Sequence, residues 1–334
     1  MSQRLPVIDI IIVNWKTRDR LRECLSSLSH TQRGGFVFGR VVVVDNASTD
    51  DSADGLDYPA LPLRIFRNSV NRGFAAGCNQ GASDSSADYL LFLNPDTRLL
   101  RDTLEKSVVC MSLPERSRTG ILGVQLLDEK GKIARTCARF LTTGGFVSKM
   151  LGLSRLFPTA LPENFYLEWN HLESREIEHV MGAYFFVRNS LFKDIGGFDE
   201  RFFVYLEDAD LSLRVRQAGW SSYYLASAQC YHSGCGSSDQ VRALRLFYVL
   251  RSRIFYGFKN FSLANAVTLL LATLFIEPIP RVVHAILRGS ITQTGEVTRG
   301  YFLLWQALPR ILGSPYLRRT QAVRLDGGAI QPHG

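Results

Sequence analysis

Apolar residues fall in short unbroken runs through the first hundred positions, and each run ends on a polar residue. Residues 7–13 are apolar except for Asp9. Such a run suits a strand covered on both faces. Across residues 18–29, Leu21, Leu25 and Leu28 recur at helical spacing. Residues 41–44, 63–66 and 89–93 are further strand-like runs, and 73–82 is a helical segment of small residues. This alternation predicts a parallel sheet with crossover helices, an α/β fold. In such sheets ligands bind outside the carboxyl ends of the strands. Here those ends carry Asn14, then Asp45 and Asn46, then Asn94 and Asp96.

The pattern changes near residue 120. Residues 121–127 and 132–134 flank Asp128-Glu129-Lys130-Gly131, a hairpin-like turn. Residues 140–178 are irregular and contain Pro158 and Pro162, as expected of a lid, an acceptor loop or a structural excursion. A strand at 180–187, a short helix at 190–195 and the breaker Gly196-Gly197 follow. Next come the aromatic run 202–206, the acids Glu207, Asp208 and Asp210 on a helical pattern, and a strand at 222–226.

Beyond Asp239 the chain reads as all-helical. Residues 241–259 are amphipathic and basic, and 263–276 hold fourteen residues without a charge. That is short of the roughly 20 needed to span a bilayer. Glu277, Pro278 and Pro280 interrupt the run before 281–287 resumes it. The expectation is an interfacial or re-entrant helix pair, or else a helical cap on the α/β core. The chain thus divides into residues 1–238 and a basic helical region, 239–334.

Charge reinforces that boundary. Residues 240–334 hold twelve Lys and Arg against three acids, whereas 1–239 are close to neutral at −1. A nucleic-acid partner would leave a broader basic footprint, so the basic tail needs its own explanation. None of the six cysteines forms a Cys-x-x-Cys pair, which suggests reduced thiols in a cytosolic protein. Cys230, His232 and Cys235 match no usual zinc spacing. No signal peptide is evident, since the first apolar run is too short and is interrupted.

Four places carry candidate chemistry. Asp45 with Asn46 suits a ribose or pyrimidine edge, although Asn-Ala-Ser-Thr-Asp is also good turn sequence. In residues 71–81, from Asn71 through Gly73, small residues let backbone N–H groups approach a phosphate, or let the helix sit close to the sheet. Asp96 after a buried strand suits a divalent cation, with His232 either a further ligand or a structural histidine. Glu207 and Asp210, three apart, share a helix face, with Asp208 about 100° around. A helix start lowers the pKa of these acids. Burial among Phe202, Phe203, Tyr205 and Trp220, and like charges beside them, raise it. Their plainer reading is a helix cap.

Taken in order, Asp45-Asn46-Ala47-Ser48-Thr49-Asp50, the 71–81 stretch, Leu93-Asn94-Pro95-Asp96, the 196–203 segment beginning Gly-Gly-Phe-Asp, and Glu207-Asp208-Ala209-Asp210-Leu211 resemble an inverting family 2 glycosyltransferase of GT-A fold. The resemblance covers roughly residues 6–238 and is nearest to the rhamnosyltransferase-like members that build bacterial cell-wall or surface polysaccharides. It implies a Rossmann-like nucleotide-binding sheet with a mixed acceptor-side region, and a donor site of Asn14, Asp45, Asn46, Asn71, Gly73, Asn94 and Asp96. Asp96 would hold Mg²⁺ or Mn²⁺ against the diphosphate, with His232 as a second ligand because Asn94 replaces the first acid of the family's Asp-x-Asp pattern. Asp208 matches the general base, and Glu207 its neighbour in the acceptor pocket.

The implied donor is dTDP-rhamnose, or UDP-galactofuranose or another UDP-hexose. The implied acceptor is lipid-linked or a growing saccharide. Residues 241–289 would then meet the inner face of the cell membrane, with Leu269, Leu270, Leu271 and Phe275 in the interface. Arg135 and Arg139 are candidates for acceptor phosphate or plain surface charge. A nucleotidyltransferase would carry a glycine-rich, lysine-bearing loop after the first strand, where this chain has Asn14-Trp15-Lys16-Thr17. A non-catalytic sugar-nucleotide or polysaccharide-binding scaffold is the non-enzymatic alternative.

Overall fold

The computed structural model describes residues 4–157, 159–161, 163–234 and 242–313. Pro158, Pro162, Cys235, Val241 and the residues after Gly313 lie outside that set. The chain divides into two compact units, Met1–Leu141 with Pro162–Asp239, and Thr142–Leu161 with Gln240–Gly334.

In the first unit the chain runs β1 (Val7–Asn14), α1 (Asp19–Ser29), β2 (Val37–Asp45), β3 (Leu63–Arg67), α2 (Phe74–Ala82), β4 (Tyr89–Leu93), β5 (Thr97–Leu99), α3 (Thr103–Ser112) and β6 (Thr119–Leu127). The second unit supplies α4 (Thr143–Met150) and α5 (Leu153–Leu156). The first unit resumes with β7 (Arg175–Ile177), β8 (Tyr184–Arg188), α6 (Asn189–Asp194), α7 (Glu207–Gln217) and β9 (Ser221–His232). The strands form one sheet in the order β3-β2-β1-β4-β8-β6-β9-β5, with β7 along β9. From β3 to β4 all neighbours are parallel, as the alternation predicts. Beyond β4 the sheet is mixed. Strand β8 is antiparallel to β4 and β6, β6 is parallel to β9, and β5 and β7 are antiparallel to β9.

The apolar runs are continuous because both faces of the sheet are covered. Ile8, Ile10 and Ile12 pack with Leu21, Leu25 and Leu104 of α1 and α3. The alternate residues Ile11 and Val13 pack with Ala75 and Cys78 of α2 and with Leu211 and Val215 of α7. A Cβ on Gly81 would stand 2.6 Å from Ile11 Cγ2, so glycine lets α2 sit tight on β1. The break at Asp9 is a buried polar tie, its Oδ2 accepting from Arg40 Nε (2.8 Å) and Ser85 Oγ (2.7 Å).

Two expectations change here. Strand β9 runs twelve residues rather than the five at 222–226. The register opposite β6 jumps from Leu225 to Gln229, so Ala226, Ser227 and Ala228 leave the ladder and the apolar pattern breaks while the strand continues. Residues 140–178 are also less irregular than their sequence, since α4, α5 and β7 lie within them.

The second unit also holds α8 (Arg242–Asn260), α9 (Leu263–Leu271), α10 (Pro278–Leu287) and α11 (Ile291–Gly313). Glu277, Pro278 and Pro280 do not interrupt the helix. A π-helical turn at Ala272–Ile276, closed by Glu277 N donating to Ala272 O (2.9 Å), carries the course from Leu263 to Leu287. Its 25 residues are long and apolar enough to cross a membrane, which corrects the fourteen-residue limit. Glu277 is buried and accepts from Arg281 Nη2 (2.7 Å) and from Arg253. Burial raises the Glu277 pKa, but the two guanidiniums outweigh it and the net shift is downward.

Glu277→Gln leaves Arg253 buried without its counter-charge. Breaking such a pair is expected to cost about 3 kcal/mol, measured by denaturant unfolding at neutral pH. Because the folded-state pKa is depressed, that stability exists above the ordinary carboxyl value of 4.5 and drains as pH falls through the depressed one, so wild type and variant converge in acid.

Candidate active site

Parallel pairing of β1 with β2 sets Asn14 beside Asp45. Asn14 is wholly buried, and its Nδ2 donates to Asp45 Oδ1 (2.7 Å) and Ser52 Oγ (2.9 Å). Its Oδ1 accepts from Thr17 Oγ1. Asp45 Oδ2 accepts from Ser48 N (3.3 Å). Asn14 therefore orients Asp45. Asn46 works on the next segment, donating to Gly73 O (2.9 Å) and accepting from Asn68 Nδ2 (2.8 Å). Asn71 Oδ1 accepts from Gly73 N (2.9 Å).

Gly73 has φ +89° and ψ 169°, a region essentially open to glycine alone. A Cβ there would lie 2.4 Å from Phe203 O, which accepts from Phe74 N (2.6 Å). The start of α2 is thus fastened to the chain just ahead of α7. Asn79 adds a reciprocal pair of bonds with Phe198, at 2.8 and 2.9 Å.

Asp96 and His232 meet through the sheet. Thr97 of β5 is registered opposite His232 of β9, and His232 Nε2 stands 3.5 Å from Asp96 Oδ1. Burial raises the Asp96 pKa, but the hydrogen bond and charge of His232, with help from the charge of Arg20, bring it below the ordinary value. Asn94 N donates to Ala183 O (3.0 Å), and Asn94 O accepts from Thr97 Oγ1 (2.7 Å). Among the described residues no three or more His, Cys, Asp or Glu form a metal cluster. A cation here would rest on the Asp96–His232 pair. Cys230 is buried on β9 and donates to Tyr231 O.

Helix α7 begins after two left-handed non-glycine residues, Tyr205 (φ +71°) and Leu206 (φ +68°). Such backbone costs on the order of 1–3 kcal/mol per residue and persists where its surroundings enforce it. The three acids then diverge. Glu207 is buried, and its Oε2 has no hydrogen-bond partner. Burial, then the charge of Asp208, drives its pKa well above the ordinary value, which favours the protonated form.

Asp208 is partly exposed. It accepts from Gly182 N (2.8 Å, Oδ2) and Ala209 N (2.8 Å, Oδ1), and His179 Nε2 lies 3.4 Å from Oδ2. That last approach is electrostatic, since His179 Nε2 completes no hydrogen bond. Burial raises the Asp208 pKa, yet the charge of His179 and the two N–H groups more than offset it, and the net shift is downward. Asp210 is fully buried. Its Oδ2 accepts from Arg214 Nε (2.9 Å), while Arg214 donates to Ile195 O and Gly197 O (2.7 Å each). Asp210 acts as a brace through Arg214, while Asp208 takes the first-turn N–H of Ala209 that the N-cap residue Leu206 leaves unmet.

All the expected positions therefore lie at strand ends or at the start of α2 or α7, linked by short bonded paths. Asn94 bonds Ala183, next to Gly182, which bonds Asp208. Sequence reasoning missed His179 and Gly182. His179 exchanges both backbone hydrogen bonds with Ala138 (3.0 Å each), a pairing that no periodicity announces.

Sequence models of known families match this chain twice. Glycosyl transferase family 2 matches residues 9–112, and Glycosyl transferase family group 2 matches residues 89–312. An N-acetylglucosaminyl-diphospho-decaprenol L-rhamnosyltransferase of Mycobacterium tuberculosis is 28% identical over 256 residues, covering 72% of this chain and 80% of the relative. A rhamnosyltransferase of Escherichia coli is 26% identical over 236 residues, covering 68% and 83%. Among solved structures, a mannosyltransferase of Pyrobaculum calidifontis in complex with GDP-Man and Mn²⁺ matches with a TM-score of 0.52 at 17% identity, covering 98% of this chain and 89% of that one. This last likeness is one of fold.

His179→Gln removes the imidazole facing Asp208 while keeping a polar side chain. The Asp208 carboxyl pKa is expected to rise, read by ¹³C NMR titration of aspartate carboxyls. An unchanged titration would mean that Gly182 and Ala209 alone set it.

Proposed function

Because the chain belongs to the Glycosyl transferase family group 2 and is a nucleotide-sugar glycosyltransferase, we propose that it transfers rhamnose from dTDP-rhamnose, with inversion, to a lipid-linked or growing saccharide of bacterial cell-wall or surface polysaccharide. The observation that carries this reading is the pair at the start of α7. Two adjacent carboxyls are driven in opposite directions, Glu207 up by burial without a partner for its Oε2, and Asp208 down by His179 and the N–H groups of Gly182 and Ala209. Neighbouring acids pushed apart in this way mark an acid and a base.

Asp208 takes the proton of the acceptor hydroxyl as that oxygen attacks the anomeric carbon from the face opposite the leaving diphosphate. Gly182 N, Ala209 N and the His179 imidazole hold Asp208 as a carboxylate in place. Its low pKa weakens it as a base but keeps it ready at any physiological pH. Glu207, protonated, offers a hydrogen bond to the acceptor or the sugar. Asp45, fixed by Asn14, binds the nucleoside, and Asn71, Gly73 and Asn94 line the donor. Mg²⁺ or Mn²⁺ suits the buried Asp96 carboxylate and His232, two donors that leave positions for phosphate oxygens and water. When bound, the cation neutralises charge on the departing diphosphate.

Residues 1–238 form the transferase domain in this reading, and 239–334 bring it to the inner face of the cell membrane. The net charge of +9 in residues 240–334 suits anionic lipid. Leu263, Val267, Leu271, Phe275, Ile279, Val283 and Leu287, each four residues from the last, are all exposed and apolar. Glu277, tied to Arg253 of α8, is costly at a bilayer centre and favours an interfacial position over a full crossing.

A donor panel of dTDP-rhamnose, UDP-galactofuranose and UDP-hexoses, scored by release of nucleoside diphosphate with and without Mn²⁺, tests the activity. Asp208→Asn is expected to bind the donor normally and to lose roughly 10²–10⁴ in turnover. Near-wild-type transfer by that variant, or turnover with UDP-hexoses only, would overturn the assignment in its base or its donor. Binding to anionic vesicles that weakens as salt is raised, with release from membranes by alkaline carbonate, is the result expected of the helical region. Retention through the carbonate wash would mean that residues 263–287 span the bilayer.

A further inference from the structure

The histidine that faces Asp208 is held in place through a second histidine. His171 is wholly buried in the stretch between β6 and β8. Its ring stacks on Trp169, with centres 4.1 Å apart, and meets the Tyr224 ring edge-on at 5.6 Å. Its carbonyl is tied to two strands, accepting from Gln125 Nε2 of β6 (2.8 Å) and from Tyr224 Oη of β9 (2.9 Å). Gln125 is itself held by Gln229 of β9 (2.6 Å). The backbone of His171 is left-handed, with φ +61°, a conformation that persists where its surroundings enforce it.

Both ring nitrogens are engaged. Nε2 lies 3.4 Å from the backbone nitrogen of Cys137, and Nδ1 lies 3.0 Å from Trp169 O. A main-chain N–H can only donate and a carbonyl can only accept. Nε2 is therefore the acceptor, Nδ1 carries the proton, and the ring is neutral. Burial, with the charges of Arg135 and Arg175, lowers the His171 pKa against the opposing effects of the Trp169 carbonyl and Glu168. Cys137 is buried, so without this ring its N–H would need another acceptor.

The stretch that begins at Cys137 leads to the proposed base. Cys137 O accepts from Tyr166 N (3.0 Å), and Arg139 N donates to Asn164 O (2.7 Å). Between them, Ala138 exchanges both backbone hydrogen bonds with His179 (3.0 Å each). His179 Nε2 then stands 3.4 Å from Asp208 Oδ2. A shift of Cys137 is passed to Ala138, and a shift of Ala138 moves the imidazole that faces the carboxylate.

We infer that His171, as its Nδ1–H tautomer, is a positioning residue for sugar transfer: by accepting from Cys137 N it places Ala138 and, through Ala138, sets His179 against Asp208. This rests on Asp208 as the base.

Three variants of the full chain test it. Asn tolerates left-handed backbone but is too short to reach Cys137 N, Phe keeps a ring against Trp169 but has no acceptor, and Gln restores an acceptor at that reach. His171→Asn and His171→Phe are expected to lower kcat by about 10- to 100-fold with the donor KM little changed, and to raise the Asp208 carboxyl pKa in ¹³C NMR titration. His171→Gln should recover most of both. A merely structural histidine would lower the unfolding midpoint of the variants without moving the Asp208 titration of the folded protein. An unmoved titration in either folded variant overturns the inference. So does an Nε2–H tautomer of His171 in ¹⁵N NMR of the wild type, a measurement that needs no variant to fold. If Asp208→Asn keeps its transfer while the Asp208 titration still follows His171, the base assignment fails and the placement of Asp208 by His171 stands.

Discussion

Helix α7 starts where it does because the chain ahead of it is fastened to α2. Phe74 N bonds Phe203 O, and Gly73 makes room for that carbonyl by having no Cβ. Asn79 holds Phe198, Arg214 holds Ile195 and Gly197, and Asp210 holds Arg214. Pinned at both ends, the segment accepts two left-handed residues at Tyr205 and Leu206. Their strain is the cost of turning Glu207 inward and Asp208 toward Gly182. The segment built on Asn46 and Gly73 and the acid side are therefore one bonded frame.

Electrostatics follow from that placement. Two neighbouring carboxyls, one of them buried, cannot both ionise cheaply, so the environment chooses between them. Asp208 has two N–H groups and an imidazole, while Glu207 has an oxygen with no partner. A difference of one position along the helix thus separates a carboxyl whose charge is supported from one whose charge is opposed.

Much of this was legible in the sequence. The strand-end residues Asn14, Asp45 and Asp96 could be placed because buried parallel strands announce themselves as apolar runs, and the polar residue after each run marks the binding edge. The order of motifs gave the fold class and the acids of α7. What stayed hidden depends on contacts between distant segments. His179 reaches Asp208 only through its pairing with Ala138, and His232 reaches Asp96 only because β9 continues past Ala226-Ser227-Ala228. The bulge interrupts the apolar pattern without ending the strand. Asp210 looked like a cap because acids favour helix starts, whereas its partner, Arg214, lies one turn further on.

The π-helical turn at Ala272–Ile276 bears on the exposed apolar row from Leu263 to Leu287. With 3.6 residues per turn, positions four apart creep around a helix by about 40° at each step, and a row of seven would wind most of the way round. A turn closed between residues five apart winds more slowly and reverses part of that creep. The extra residue acts as a phase correction. It keeps the two halves of the row turned toward the same side, so that one long helix presents a broad apolar flank where an unbroken α-helix of the same sequence would present a spiral.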